Sequence, residues 1–272
     1  MLAISHLATG YRQRLKTHLV GTGLTATLPQ GRLTALLGTN GVGKSTLLRT
    51  LAGLQPALGG TVNIDGQDLS DISVRELARR LSIVLTHRGV HETLTVKEVV
   101  ELGRLPYEGA WWQTLRQDGA ERESEQTIVD EALRRCDITH LAARPINQLS
   151  DGERQRVFIA KALAQQTPII LLDEPSAFLD YPSKLRLFQT LRDLAHEGQK
   201  AILVSTHEVD MAVDYADELW LLKPTAIEIA PHDATERVVA INHFFRLTAR
   251  PDRTVSNPST PHPIPTSQSL TT

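Results

Sequence analysis

The segment Gly38-Thr39-Asn40-Gly41-Val42-Gly43-Lys44-Ser45-Thr46 constrains this chain more than any other stretch. It fits the spacing G-x-x-x-x-G-K-[ST], follows directly on the apolar run Leu33 to Leu37, and opens a helix-like stretch from Thr46 to Ala52. Strand, glycine-rich turn and helix in that order make a phosphate cradle. Glycines let backbone N–H groups converge on phosphate oxygens without Cβ obstruction, and the helix N-terminus adds positive potential. In such a cradle Lys44 reaches the β- and γ-phosphates of a nucleotide and Ser45 offers a hydroxyl to Mg²⁺. A chance glycine turn would not require the strand before it and the helix after it.

Three more apolar runs, Ser82 to Leu85, Pro168 to Leu172 and Ala201 to Ser205, lack in/out alternation, as does Leu33 to Leu37. That pattern suits strands buried on both faces, the condition of a parallel sheet covered by helices. Leu2 to Ser5, Leu24 to Leu28 and Thr61 to Asp65 read as shorter strands beside turn signals, predicting a smaller antiparallel sheet on the N-terminal side. Between Thr93 and Ala164 the period becomes helical, with Ile128, Val129, Ala132, Leu133 and Cys136 on one face, so a helical subdomain is inserted between sheet strands. After Leu222 the pattern decays. Asp233 to Leu247 reads as one helix capped by Asp233 with Glu236, and Pro251 to Thr272, rich in Pro, Ser and Thr, reads as a disordered tail. The division is 1–225, 226–250 and 251–272.

Composition removes several functions. With 29 basic and 31 acidic residues the formal charge is −2, so no global positive field holds nucleic acid or an anionic membrane. No apolar stretch reaches the roughly 18 to 20 residues of a spanning helix, and the N-terminus lacks a signal-peptide pattern, which predicts a soluble, cytosolic chain. Cys136 is the only cysteine, ruling out an internal disulfide, and its apolar helical setting marks it as a packing residue.

A second acidic element, Ile169-Ile170-Leu171-Leu172-Asp173-Glu174-Pro175, places two carboxylates at the C-terminal end of a buried strand, where ligands of open α/β sheets gather. Alone, an acidic turn explains them as well. Beside a phosphate cradle, Asp173 is suited to hold Mg²⁺ through water and Glu174 to polarise an attacking water. Leu149-Ser150-Asp151-Gly152-Glu153 begins a helix running to Ala164, and a capping box of Ser150 with Glu153 would by itself explain the serine.

In order and spacing these motifs resemble the ABC ATPases over about residues 1 to 222. Their signature, usually written LSGGQ, lies just upstream of the strand carrying the acidic pair; here it reads LSDGE, with Asp151 and Glu153 as departures. The resemblance implies an α/β P-loop NTPase (RecA-like) core with an N-terminal antiparallel β subdomain and an inserted helical subdomain. It implies ATP with Mg²⁺ as ligands, held by Gly38, Thr39, Asn40, Gly41, Val42, Gly43, Lys44, Ser45 and Thr46. Lys44, Glu174 and His207 would be catalytic, and Ser45 and Asp173 would face the metal. It also implies that Ser150 and the N–H groups around Gly152 bind the γ-phosphate held by a partner cassette in a head-to-tail dimer. Negative charge at Asp151 and Glu153 would weaken that closure unless the side chains point away or pair with Arg154 and Arg156. Tyr11 matches the aromatic that stacks on adenine, or is a strand aromatic of the core. Asp180 matches the loop crossing the dimer interface, or is a helix N-cap. His207, at a strand end, matches the switch histidine.

Glu101-Leu102-Gly103-Arg104-Leu105-Pro106-Tyr107 resembles a segment of importer ATPases for iron chelates, haem and cobalamin, located where they meet their permease subunits. A helix end stopped by Gly103 and Pro106 is the plainer explanation. Trp111-Trp112 is either part of that contact surface or core. On the importer reading the chain is cytoplasmic, peripheral on the inner membrane face through permease subunits. A soluble ABC ATPase and a weakly hydrolysing nucleotide-binding module are the competing classes. Family members place a glutamine after the strand equivalent to Ser82 to Leu85, yet no glutamine stands between Gln67 and Gln113. Alignment puts His87 there, either as a water-bridged group beside the metal or as a solvated loop residue.

Overall fold

The computed structural model describes residues 1–13, 16–85, 93–107 and 119–248. His87, Trp111-Trp112 and the stretch Pro251 to Thr272 lie outside the described residues.

The chain opens with β1 (Leu2–Gln13) and β2 (Lys16–Leu28), an antiparallel pair. β3 (Arg32–Leu37) then runs into the glycine-rich loop and α1 (Lys44–Leu51). β4 (Gly59–Ile64) and β5 (Gln67–Asp68) return to β1, giving an antiparallel sheet of order β2-β1-β4-β5. Next, α2 (Val74–Arg80) leads into β6 (Leu81–Val84). The helical part supplies α3 (Val96–Glu101), α4 (Gly119–Arg135) and α5 (Asp151–Ala164). β7 (Ile169–Asp173), α6 (Tyr181–His196), β8 (Ala201–Ser205), α7 (Val209–Tyr215) and β9 (Glu218–Lys223) return to the sheet. β10 (Ala226–Ile229) and α8 (Ala234–Thr248) follow.

The second sheet has the order β10-β9-β3-β8-β7-β6, parallel from β9 to β6, with β10 antiparallel at its edge. Every residue of β7 and β8 is buried, as expected for runs without alternation, whereas β2 alternates near its end, one face in the core and the other in water. Parallel pairing puts the C-terminal ends of β3, β7 and β8 at one edge, with Leu36 and Asp173 both in register with Ser205. The loop, the acidic pair and His207 emerge there.

The elements stand as two cores. Leu47, Leu48 and Leu51 of α1 fill the space between the sheets with Leu2, Leu28 and Trp220. Val99, Leu133 and Val157 of the helical part join Phe188 of α6 and the other face of the parallel sheet. Each such side chain contributes about 1.5–3 kcal/mol by leaving water. Cys136 is among them, and burial pushes its thiol up to about 12.

The structure departs from the sequence reading in three places. β1 and β2 run well beyond Leu2 to Ser5 and Leu24 to Leu28; register shifts between Ile4 and Gly10, with His6 at φ 49°, break the alternation that would have betrayed the full strands. β9 (Glu218–Lys223), absent from the sequence reading, closes the parallel sheet beside β3, and order continues past Leu222 into β10 and α8. Ala226–Ile229, placed in a helical extension, is instead strand β10 on β9. The capped helix does form: Asp233 Oδ1 accepts from the N–H groups of Thr235 and Glu236 at the start of α8.

Candidate functional site

Residues Gly38 to Thr46 bend around the start of α1. Gly43 is the N-cap at φ 111°, and a Cβ there would lie 2.4 Å from Val20 Cγ1 of β2, so both conformation and space demand glycine. Gly41, at φ 79°, faces open space and is required for conformation alone. α1 has no side-chain cap and no acidic residue in its first turn. Its leading N–H groups therefore keep their positive potential for an external anion.

Lys44 is only 6% exposed. Its Nζ donates to Gly38 O at 2.9 Å, folding the side chain back along the loop, and stands 3.9 Å from Glu174 Oε1. Burial lowers its pKa, and the carboxylates of Glu174 and Asp173 oppose that shift. A buried cation at the mouth of an uncapped helix is an anion site in both its charge and its donors.

The acidic pair is fixed by a residue that the sequence reading passed over. Ser205 Oγ donates to Asp173 Oδ1 at 2.8 Å and accepts from the Glu174 N–H at 3.0 Å, while Ser205 O accepts from the same N–H at 3.1 Å. These bonds hold Glu174 at φ 48°, a left-handed conformation that aims its side chain out of the strand direction. Ser205 carried a signal of its own: it is a hydroxyl at the end of an otherwise apolar buried strand, next to Thr206-His207. His207 is 53% exposed, with Nδ1 3.4 Å from Glu174 Oε2 and Nε2 3.7 Å from Glu208 Oε1. Lys184 of α6 pairs with Glu208. Lys44, Glu174, His207, Glu208 and Lys184 thus follow one another through successive polar contacts, and Asp173 stands next to Glu174.

Ser45 and Thr46 are half-buried in the first turn of α1. Gln55 Nε2 donates to Gly10 O at 3.2 Å and to Thr46 O at 3.4 Å, tying β1 to that turn. Tyr11, next along β1, is 48% exposed and stacks on His18 of β2 with ring centroids 5.5 Å apart. It is not a core aromatic.

Ser150, Gly152 and Asp180 make a second grouping. Ser150 caps α5 in a full capping box: Glu153 Oε2 accepts from Ser150 N and Oγ, both at 2.8 Å, and Ser150 Oγ accepts from the Glu153 N–H at 3.3 Å. The backbone and hydroxyl bonds of Ser150 hold the Glu153 carboxyl below its usual range, with Arg144 and Arg156 helping. Asp151 lies 3.7 Å from Arg154. Both departures from the usual signature are therefore engaged locally. A Cβ on Gly152 would meet Phe178 O at 3.1 Å, so α5 begins tight against the segment leading to Asp180. Asp180 is the N-cap of α6, its Oδ1 accepting from the Ser183 N–H at 3.0 Å.

Residues 22–177 match the family model described as ABC transporter. The chain belongs to the ABC transporter family. It is the ATP-binding ATPase cassette of that family, with mixed α/β architecture and an antiparallel β subdomain. It is 40% identical over 192 residues to the achromobactin transport ATP-binding protein CbrD of Dickeya dadantii, covering 71% of this chain and 69% of that one. Against the cobalamin import ATP-binding protein BtuD of Halobacterium salinarum (strain R1) the identity is 38% over 224 residues, 81% of this chain; the chain spans only 53% of that relative's length. Among solved structures it is similar to the dimeric post-hydrolysis state of the ATP-binding cassette MJ0796 bound to ADP and Pi, with a TM-score of 0.74 and 28% identity over 86% of this chain and 99% of that one.

Proposed function

We propose that this cassette hydrolyses ATP to energise import of a metal chelate of the iron-siderophore, haem or cobalamin class through membrane permease subunits. The observation that carries the catalytic part is the packing of Lys44, Asp173, Glu174 and His207 around the uncapped start of α1, with Ser205 holding the acidic pair. On this reading the loop Gly38 to Thr46 binds the phosphates, and Lys44 exchanges Gly38 O for the β- and γ-phosphates. Glu174 orients the attacking water, and His207, hinged beside it, contacts the γ-phosphate. Tyr11 offers its exposed face to adenine. Ser45 and Asp173 are hard oxygen donors suited to Mg²⁺, which bound there would neutralise charge developing on the phosphates. The described residues hold no group of three or more His, Cys, Asp or Glu side chains fit for a metal, in keeping with an ion that takes the rest of its shell from nucleotide and water.

Ser150, Gly152 and Asp180 complete the site of a second copy in a head-to-tail homodimer, a reading supported by the dimeric state of the similar cassette structure. For Ser150 to reach the partner's nucleotide it must share its hydroxyl with Glu153. The unit responsible spans residues 1–225 with 93–164 inserted, and β10 (Ala226–Ile229) extends its sheet by one edge strand beyond that boundary.

The names of the relatives, one for achromobactin transport and one for cobalamin import, support the cargo class. No helix of the described residues is long and apolar enough to cross a membrane, so the permease contact must be a surface. We assign it to the open cavity of about 390 Å³ lined by Leu54, Val74, Leu77, Leu81, Phe158 and Lys161, whose Lys161 is packed by Gly103 of the segment Glu101 to Tyr107. Val74 on its rim is 86% exposed. The chain would then sit at the cytoplasmic membrane face through its permease. Co-expression with candidate permeases tests this. The tagged cassette should co-purify with a protein of many spans, uptake of the chelate should need Lys44, and Val74→Asp should break the complex without lowering ATP affinity. A cassette that hydrolyses ATP yet recovers no membrane partner would instead be a soluble ABC ATPase.

A further inference from the structure

A second cavity, of about 220 Å³, lies where α5 and the end of α4 meet α6, away from the phosphate loop. Its floor is carbon and sulfur, from Cys136, Ile159, Leu179 and Leu187. Its rim carries Arg135, Arg156 and Arg186 with the carboxylates of Asp137 and Asp193. The guanidiniums are unevenly matched. Arg135 Nε donates to Glu131 at 2.7 Å, but Arg186 Nη2 has the neutral Ser183 Oγ at 3.2 Å. Arg156 Nη1 stands 3.8 Å from Asp137 Oδ2, and Arg156 Nε is buried with no hydrogen-bond partner among the described residues. A buried N–H donor without an acceptor keeps its full desolvation cost, and the donors of Arg156 that an entering acceptor would meet are those of its outer guanidinium, the side chain being 25% exposed.

We propose that this cavity binds a compact organic carboxylate, its oxygens on Arg156 and Arg186 and its carbon body on Cys136, Ile159 and Leu187. A guanidinium presents parallel donors that a carboxylate matches in pairs, which selects this head group over a neutral one. Size selects the body. A water occupies about 30 Å³ of liquid, so the cavity has room for more than a lone inorganic anion. The apolar floor favours carbon over a second charged group.

The site is placed to act on the cassette. Arg156 lies on α5, whose first turn is the capping box of Ser150 and Glu153, and Leu179 immediately precedes Asp180. Beyond the Ser183 hydrogen bonds that dominate it, the Asp180 carboxyl is held down by Arg186 and Arg156, and Arg156 acts on Glu153 as well. An anion that neutralises these guanidiniums is therefore felt at both interface loops.

The test uses the full chain with labelled Ile and Leu methyl groups, saturated with ADP so that the phosphate loop is filled. Isocaproate, its neutral isostere isocaproamide and inorganic phosphate are titrated separately and followed by methyl NMR. Isocaproate should give saturable shifts at Ile159 and Leu187, with isocaproamide at least about tenfold weaker. The pair Arg156→Met with Arg186→Met should weaken isocaproate by a similar factor and leave ADP affinity unchanged. Absence of saturable shifts with isocaproate, or equal binding of acid and amide, would overturn the site. Phosphate shifting the same methyls as strongly as isocaproate would overturn the carbon-body assignment. The acid–amide comparison is made on the parent chain and stands whatever the double variant does to folding. None of these outcomes bears on the cargo or the permease.

Discussion

Ser205 Oγ stands between Asp173 Oδ1 and the Glu174 N–H, so one hydroxyl sets both carboxylates. Ser205→Ala leaves a buried carboxylate oxygen short of a donor, which costs about 1–3 kcal/mol of stability in denaturant titration. It should also lower ATP turnover more than ATP affinity, because the positioning is lost while the loop is intact. Lys44→Ala divides the other way. It removes the cation that the phosphates would meet, so both ATP binding and turnover should collapse in calorimetry and phosphate-release assays. Glu174→Gln keeps the shape without the charge, and ATP should bind without being consumed; turnover at the parent rate would exclude Glu174 as the group that orients water. At this scale the sequence was most legible where spacing carries the chemistry, as in Gly38 to Thr46. Ser205 escaped because its role depends on register with β7, which no local spacing reveals.

At the scale of elements, Glu101 to Tyr107 shows what punctuation can and cannot tell. α3 ends at Glu101, before either residue; Gly103 lies inside the 3-10 turn Leu102–Arg104 that continues it, and Pro106 follows that turn. The same residues also brace the helical part against α2. Arg104 Nη1 donates to Ala164 O at 2.7 Å, Arg104 pairs with Glu125, Tyr107 lies under the Arg104 guanidinium at 4.3 Å, and Arg79 Nε donates to Pro106 O at 2.8 Å. A Cβ on Gly103 would stand 2.3 Å from Lys161 O, a backbone atom of α5 that has little room to move. Gly103→Ala should therefore cost about 1–3 kcal/mol, read as a lower unfolding midpoint. β9 was missed for a related reason. Its run Glu218-Leu219-Trp220-Leu221-Leu222 starts with a charged residue that the fold buries by giving Glu218 the Trp220 Nε1–H, 2.6 Å away. A buried carboxylate satisfied within its own strand looks from the sequence like a solvated turn.

For the whole molecule, acid is the condition that tests many contacts together. Carboxyls that cap helices or pair with arginine, among them Asp68, Glu131 and Glu153, are held below their ordinary values, Glu131 at about 2. Hydrogen bonds are the leading cause in each: from Ser70 at Asp68, from Arg134 and Arg135 at Glu131, and from Ser150 at Glu153. A carboxyl with a depressed folded pKa adds stability above its unfolded value, near about 4, and that contribution is lost as pH falls through the folded value. The denaturation midpoint should thus be level near neutrality and fall steadily from about pH 4.5 downward. Because these groups are only half-buried and screened by solvent, each contributes modestly, and Glu131→Gln should flatten only part of the slope.

The strand order fixes when this protein can exist. β3, which ends in the phosphate loop, pairs only with β8 and β9, more than 160 residues later in the chain. A ribosome that has made the loop has made neither of its neighbours. The antiparallel sheet, drawn from residues 2–68, can assemble early, but Leu33 to Leu37 must wait with both edges unpaired until Ser205 has emerged and with one edge unpaired until Lys223. Nascent chains halted after Ser205 should be protease-sensitive and bind chaperones, and those released beyond Ile229 should not, so nucleotide binding is among the last properties the chain acquires during its synthesis.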